Sequence, residues 1–327
     1  MEELKGKKVL FIGTTFFNYH VAIKKELENR GSIVDFYNEI EDCFERKFYR
    51  AINKKLLSKF DEHYHQKLLR DIQAKSYDYL FVLHGEGLTE SLLSKIKSLN
   101  KNIIFIMYQW DSIIHFDYTH LIPCFDKVFT FDDIDANKYG INFLPLFYIH
   151  EYKTNSDNKI SDIIYDVAFI GSLHSDRYQI IKRIIDYSSL NELNFFHHLY
   201  ISKLSYLKQK YLHRKRYSDK YLKFHTLNKD KIFEVIEKSN CILDINEKGQ
   251  NGLTIRTFEM MVQNKKIITT NQNIKNYEFY DENSILVIDR ESGIFNTDFI
   301  KNKISVKYKN LDKYSLSNWI STLFRND

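Results

Sequence analysis

The chain has 327 residues, more than one ordinary core holds and enough for two domains of about 150 residues each. Its 43% hydrophobic and 28% charged content is that of a globular protein, and 10 Gly with only 2 Pro exclude long disordered stretches. The net charge of +5 is mild, no apolar run reaches the ~20 residues that span a bilayer, and no nucleic-acid-binding signature is present.

The N-terminus, Met1–Lys8, is charged and runs straight into a strand, so no signal peptide is expected. Cys43, Cys124 and Cys241 lack metal-site spacing, two of them sit in or beside apolar segments as core thiols would, and the set fits a reducing cytoplasm. Lys8–Gly13 is a short buried strand. It is followed by Gly13-Thr14-Thr15-Phe16-Phe17-Asn18-Tyr19-His20, a turn whose backbone amides can approach a ligand. The three spaced glycines of a dinucleotide fingerprint are absent, which argues against a nicotinamide enzyme. His20 is either a general base or a side chain on the solvent face of the helix Tyr19–Arg30, which stops at Gly31. Ile33–Tyr37 is a second strand and Phe48–Lys75 a long helical region. Tyr77–Leu83 is a strand ending in Leu83-His84-Gly85-Glu86-Gly87, which sets a carboxylate between two glycines. The helix Thr89–Ser98 and the strand Asn102–Tyr108 lead into Gln109-Trp110-Asp111-Ser112. There Asp111 either caps the next helix or serves as a general base beside Trp110. Phe131-Asp132-Asp133-Ile134-Asp135 contains an Asp-x-Asp, read as helix N-terminal carboxylates rather than a metal site.

Lys127–Phe131 and Asn142–Leu146 complete the first half, and the polar stretch Glu151–Ile164 is the expected linker. The pattern then restarts. Asp166–Ile170 is a strand that ends at Gly171-Ser172, and His174 and Arg177 at the start of the helix Arg177–Tyr187 could meet an anion. Lys203–Lys223 carries eight Lys or Arg against the single acid Asp219, with tyrosines between them. It is either a solvated helix face or a docking face for an anionic membrane or a pyrophosphate-linked acceptor. The strand Cys241–Ile245 runs into Asn251-Gly252-Leu253-Thr254 and the helix Ile255–Gln263. This helix start offers unpaired amides to a diphosphate, Arg256 adds a positive charge in its first turn, and Glu259 could accept from a ribose. Strands Lys266–Thr269 and Ser284–Ile288 and a closing helix, Lys313–Phe324, follow. Strands alternating with helices in both halves indicate two parallel sheets, whose ligands bind beyond the strands' carboxyl ends.

The stretch Gln250–Asn271, QNGLTIRTFEMMVQNKKIITTN, with Phe279-Tyr280 and Asp289-Arg290 after it, resembles capsule and lipopolysaccharide (O-antigen) glycosyltransferases of bacterial polysaccharide clusters. The resemblance extends over VLFIGTTFFNY, YQWDS, FDKVFTFDDIDANKYG, LPLFY and DVAFIGSLHSDR, and so over nearly the whole chain. It implies a GT-B fold, with two Rossmann-like α/β/α domains facing each other across a cleft. Residues 1–150 form the acceptor side and 151–327 the donor side, with the last helix open to a return to the first domain. Gly171, Ser172, His174, Arg177, Asn251, Gly252, Leu253, Thr254, Arg256 and Glu259 would hold a nucleotide-sugar donor, uridine-linked by preference. Thr14, Thr15, Phe17, Tyr19 and Trp110 would line the acceptor side.

Asp111, with Glu86 second, would be the catalytic carboxylate. No cofactor or essential metal is implied. The acceptor would be a glycan or lipid-linked glycan, not a nucleic acid, met in the cytoplasm or at the inner face of its membrane through Lys203–Lys223. The positions eight residues either side of Glu259 are Asn251 and Ile267. A second Glu, which many retaining GT-B enzymes carry there, is missing, so retention and inversion both stay open. Two other readings remain: a sugar-nucleotide epimerase of the same layout, and a non-catalytic scaffold subunit of a polysaccharide-synthesis complex.

Overall fold

A computed structural model describes residues 4–15, 18–152, 163–212, 217–293, 296–302 and 306–325. The chain divides into two units, Met1–Leu146 with Lys313–Asp327, and Phe147–Asp312. The expected linker Glu151–Ile164 lies largely outside the described residues.

In the first unit the elements run β1 (Lys8–Gly13), α1 (Tyr19–Asn29), β2 (Ile33–Asn38), α2 (Phe44–Ile52), α3 (Lys54–Ile72), β3 (Tyr79–Leu83), α4 (Glu90–Leu99), β4 (Ile104–Gln109), β5 (Lys127–Thr130), α5 (Asp133–Tyr139) and β6 (Asn142–Phe143). The second unit holds β7 (Tyr165–Ser172), α6 (Arg177–Leu190), β8 (Phe195–Tyr200), α7 (Lys203–Tyr211), β9 (Leu222–Lys223), α8 (Lys229–Glu237), β10 (Ser239–Asp244), α9 (Ile255–Val262), β11 (Lys266–Thr269), β12 (Ile285–Val287) and α10 (Thr297–Lys301). The last helix, α11 (Leu316–Phe324), belongs to the first unit.

Each unit is built on a six-stranded parallel sheet, in the orders β2-β1-β3-β4-β5-β6 and β12-β11-β10-β7-β8-β9. Their strands read as unbroken apolar runs because helices cover both faces. In β1 and β3, alternate side chains go to opposite faces. Leu10, Ile12, Leu80 and Val82 join a core with Leu68 and Ile72 of α3 and Leu92, Leu93 and Ile96 of α4. Phe81 meets Trp319 and Phe324 of α11, with ring centroids 6.0 and 5.7 Å apart, and Tyr108 meets Trp319 at 4.6 Å. Arg30 at the end of α1 clamps the same helix through the Ser321 and Ser317 hydroxyls, each at 2.8 Å. In the second sheet Val167 and Phe169 of β7 pack with Ile180, Ile181 and Ile184 of α6.

Two local expectations are corrected. The single helix expected over Phe48–Lys75 is two, because Asn53 is extended (φ −154°, ψ 117°) and its side chain accepts from the Lys55 amide at 2.8 Å to cap α3. The strand expected over Asn142–Leu146 stops at Phe143, and Pro145 has no N–H to extend the ladder. Cys43 caps α2: its Sγ accepts from the Arg46 amide at 3.4 Å.

Candidate functional site

In both sheets the first strand has neighbours reached by crossovers in opposite directions. The loops after it and after the next strands therefore open a crevice at the carboxyl edge. In the first unit this edge carries Thr14 and Thr15 after β1, Glu39 after β2, His84 to Glu86 after β3, and Trp110 and Asp111 after β4.

His84 is the centre of this group. It is buried, and its backbone has φ 80°, a region that costs a residue with a side chain roughly 1–3 kcal/mol. The conformation is held from several sides. Its amide donates to Tyr108 O (2.9 Å), and Gln109 Nε2 donates to its carbonyl. The ring stands between two carboxylates, with Nδ1 3.0 Å from Glu39 Oε1 and Nε2 3.2 Å from Asp111 Oδ2. Burial alone would depress the imidazolium, but the hydrogen bonds to Asp111 and Glu39 outweigh it and raise the His84 pKa to about 10. Glu39 is itself buried and accepts from the Gly85 and Glu86 amides at 2.6 and 2.8 Å. Gly85 and Gly87 supply the positive φ values (92° and 81°) that this tight turn needs. Asp111 is 45% exposed at its side chain, and its Oδ1 has no hydrogen-bond partner among the described residues.

Two carboxylates around one imidazolium leave a single negative charge. A proton taken up at Asp111 neutralises the set, and the fixed ring keeps the receiving carboxylate in place. Glu86 is differently placed. It pairs with Arg50 (3.2 Å) and, more distantly, with Arg46 (3.9 Å), whose guanidinium forks onto Asp61. Among the described residues, Glu39, His84 and Glu86 are a set of three whose ligand atoms lie within 4.8 Å of one another. Their donors and acceptors are already committed to His84, two amides and Arg50, so a cation would have to displace these bonds.

Of the acceptor-side residues, Tyr19 and Trp110 are brought together edge to face at 6.5 Å, Thr14 is half-buried and Thr15 exposed. Phe17 lies outside the described residues. His20 stacks on Phe36 at 4.8 Å, and burial lowers its pKa. Asp132 caps α5 by accepting from the Ile134 and Asp135 amides, while Asp135 accepts from the Ile113 amide.

In the second unit the corresponding edge lies between β7 and β10. Arg177, at the start of α6, reaches across it. Its Nε donates to Ile245 O at 3.0 Å and its Nη1 to Ser172 O at 3.1 Å. Burial depresses its pKa to about 10, Asp244 pulls it back up, and Arg256 and Arg290 push it further down by repulsion. Three guanidinium groups therefore share one neighbourhood. Arg290 is fixed by a fork onto Asp176, both bonds 2.7 Å, and by Asn246 Oδ1 at 2.9 Å. Gly171 lies under this group: a Cβ there would come within 2.8 Å of the Phe169 ring and 3.3 Å of Arg177 Nη1.

Thr254 is the N-cap of α9, but its hydroxyl does not cap the helix. It donates to Asp244 Oδ2 at 2.6 Å, and Thr257 donates to the same oxygen at 2.8 Å. The first amides of α9 thus lack a side-chain cap, next to Arg256. The loop before it is pinned by Asn271 Nδ2, which donates to Asn251 O and Gly252 O at 3.0 and 3.1 Å, and Leu253 is buried. Glu259 is only 3% exposed, in a stretch of α9 where every residue from Thr257 to Val262 is buried, so a ribose contact requires its neighbours to part. Ser172 is exposed. His174 lines a cavity of ≈ 480 Å³ with Ser175, Ser205, Lys208, Gln209 and Tyr217.

No protein-family model matches the chain, and no curated protein matches it in sequence. Solved structures do match over nearly its whole length. An α-glucosyltransferase in complex with UDP and a 13-mer DNA is 12% identical with a TM-score of 0.61, covering 97% of this chain and 96% of its own. The UDP-GlcNAc 2-epimerase of Methanocaldococcus jannaschii, in complex with UDP-GlcNAc and UDP, is 13% identical with a TM-score of 0.59, covering 97% and 99%. A glycosyltransferase from Rickettsia africae is 10% identical with a TM-score of 0.56, covering 98% and 94%. The fold is GT-B. Each Rossmann-like unit of this GT-B chain sets its candidate residues at the carboxyl edge of its sheet. His84, Glu39 and Arg290 were not among the expected site residues. His84 could have been found from its place in Leu83–Gly87. Arg290 stands in the Asp289-Arg290 pair that the resemblance covers, which implies no role for it, and Glu39 carries no local motif.

Proposed function

We propose that the protein is a glycosyltransferase that moves a hexose-type sugar, pyranose or furanose, from a uridine-diphosphate-linked donor to a glycan or lipid-linked acceptor in bacterial surface-polysaccharide synthesis. The observation that carries this reading is Arg177, held at the carboxyl edge by Ile245 O and Ser172 O and within electrostatic reach of Arg256, which stands in the first turn of the uncapped α9, and of the Asp176-paired Arg290. Cations that repel one another gain when an anion enters. A diphosphate also completes the amides of a helix start. The same groups would stabilise the nucleoside diphosphate as it leaves, doing electrostatically what a divalent cation does elsewhere. UDP bound in two of the similar structures supports uridine as the base.

The second unit would thus hold the donor, while the first unit serves the acceptor. Asp111 accepts the proton of the acceptor hydroxyl, and His84, oriented by Glu39, holds that carboxylate. The sugar's anomeric carbon gains the bond to the acceptor oxygen and loses its bond to the diphosphate, which departs with the electron pair.

Thermal melting of the purified protein with nucleotides and nucleotide sugars tests this, since a ligand of the folded state raises Tm. A rise with UDP or a UDP-sugar, unchanged by EDTA, is expected. No rise with any nucleotide would favour the scaffold reading, and turnover of the donor with no acceptor present would favour the epimerase reading.

A further inference from the structure

Helix α7 presents its apolar side chains outward. Leu204, Leu207 and Tyr211 are 82%, 46% and 71% exposed and fall within one narrow arc of the helix, because positions three, four and seven apart share a face. Leu212, just beyond the helix, is 71% exposed. Exposed lysines border the stripe, Lys208 on one side and Lys203 and Lys210 on the other. The helix is fastened by its opposite face: Tyr206 is buried, its ring sits edge to face with Phe224 at 5.2 Å, and its hydroxyl donates to Asp219. Asp219 is the one acid of Lys203–Lys223 and lies on this inner side, where it attracts Lys210, so the segment keeps a strong excess of positive charge.

We infer that α7 is an interfacial helix which seats the second unit on an anionic lipid surface, with Leu204, Leu207 and Tyr211 in the headgroup boundary and the lysines on acidic headgroups. A narrow apolar stripe with cationic borders and a tyrosine at its end is what that boundary selects. A second copy of the chain fits less well, because pairing two such stripes would set lysines against lysines. No helix among the described residues is long and apolar enough to cross a membrane, so the attachment would be lateral. The inference complements the reading of a lipid-linked acceptor, but its evidence is separate. It is tested without donor or acceptor, so either idea can fail alone.

The test is co-sedimentation of the full chain with phosphatidylcholine vesicles, with and without phosphatidylglycerol. Binding is expected only with phosphatidylglycerol. The variant Leu204→Ser/Leu207→Ser/Tyr211→Ser, which keeps every charge, should bind more than about tenfold more weakly, since it removes the apolar area that the headgroup boundary would cover. Lys203→Gln/Lys210→Gln should lose the preference for the anionic lipid. Because all these side chains are exposed, both variants should melt as the parent does. Equal binding to both vesicles, binding untouched by the variants, or self-association abolished by the serine variant without any vesicle binding would each overturn the inference.

Discussion

Nε2 of His84 stands 3.2 Å from Oδ2 of Asp111, so a half-exposed carboxylate of this edge is tethered by a buried ring. If Asp111 is the base, Asp111→Asn removes the proton acceptor but keeps the shape. Transfer is expected to fall by about 10²–10⁴-fold in kcat while the donor-induced rise in Tm persists. Full activity in that variant would end the assignment.

The arginine cluster makes a separate prediction. Arg256→Ala should weaken UDP binding by about ten- to a hundredfold, the worth of one hydrogen bond to a charged group at ~1.5–3 kcal/mol. Calorimetric titration with UDP measures it. An unchanged affinity would move the diphosphate away from α9.

The pH dependence of stability follows from His84. Its folded pKa of about 10 exceeds the unfolded value of 6.5, so its contribution is complete below 6.5 and is lost as pH rises towards 10. Lys265 acts in the opposite sense. Burial lowers its pKa to about 8 from 10.5, which adds stability as pH rises through that interval. Between pH 6.5 and 8 the histidine dominates this pair. Denaturant unfolding of the parent and of His84→Gln should therefore show a gap that narrows as pH rises from 6.5. A constant gap would mean that the ring is neutral in the folded protein.

Trp319 of α11 is expected to be a cornerstone of the first unit. Trp319→Ala removes a ring packed on Phe81 and Tyr108 and should cost about 3–5 kcal/mol. Unfolding by urea measures it, and a loss below ~1 kcal/mol would show that the helix docks loosely.

The alternation of strand and helix was legible because apolar periodicity is local, and so was the strand end at Gly13, while the ends expected at Gly171 and Ile245 fall one residue from those observed at Ser172 and Asp244. The break at Asn53 was not, because apolar spacing continues through it and only the cap chemistry of Asn53 marks it. The centre of the first site was legible in part. The sequence placed Glu86 between two glycines at a strand end and so favoured it over its neighbour His84. What gives His84 its importance is Glu39, 45 residues away in sequence and brought alongside by the order β2-β1-β3. Arg290 likewise meets Asp176 across 114 residues. Long-range pairing of this kind leaves no spacing to read. The covering of Glu259 depends on what packs around α9, which is buried on all sides from Thr257 to Val262, and the sequence of one helix does not disclose that.

The return of α11 to the first unit also orders events during synthesis. The second unit is one continuous stretch and has all its strands by the time Asp312 is made. The first unit lacks the helix that shields Phe81 and Tyr108 until the ribosome has passed Phe324. A nascent chain would then carry a finished second half while its earlier half still shows bare aromatic surface. That interval is when a chaperone would find most to hold.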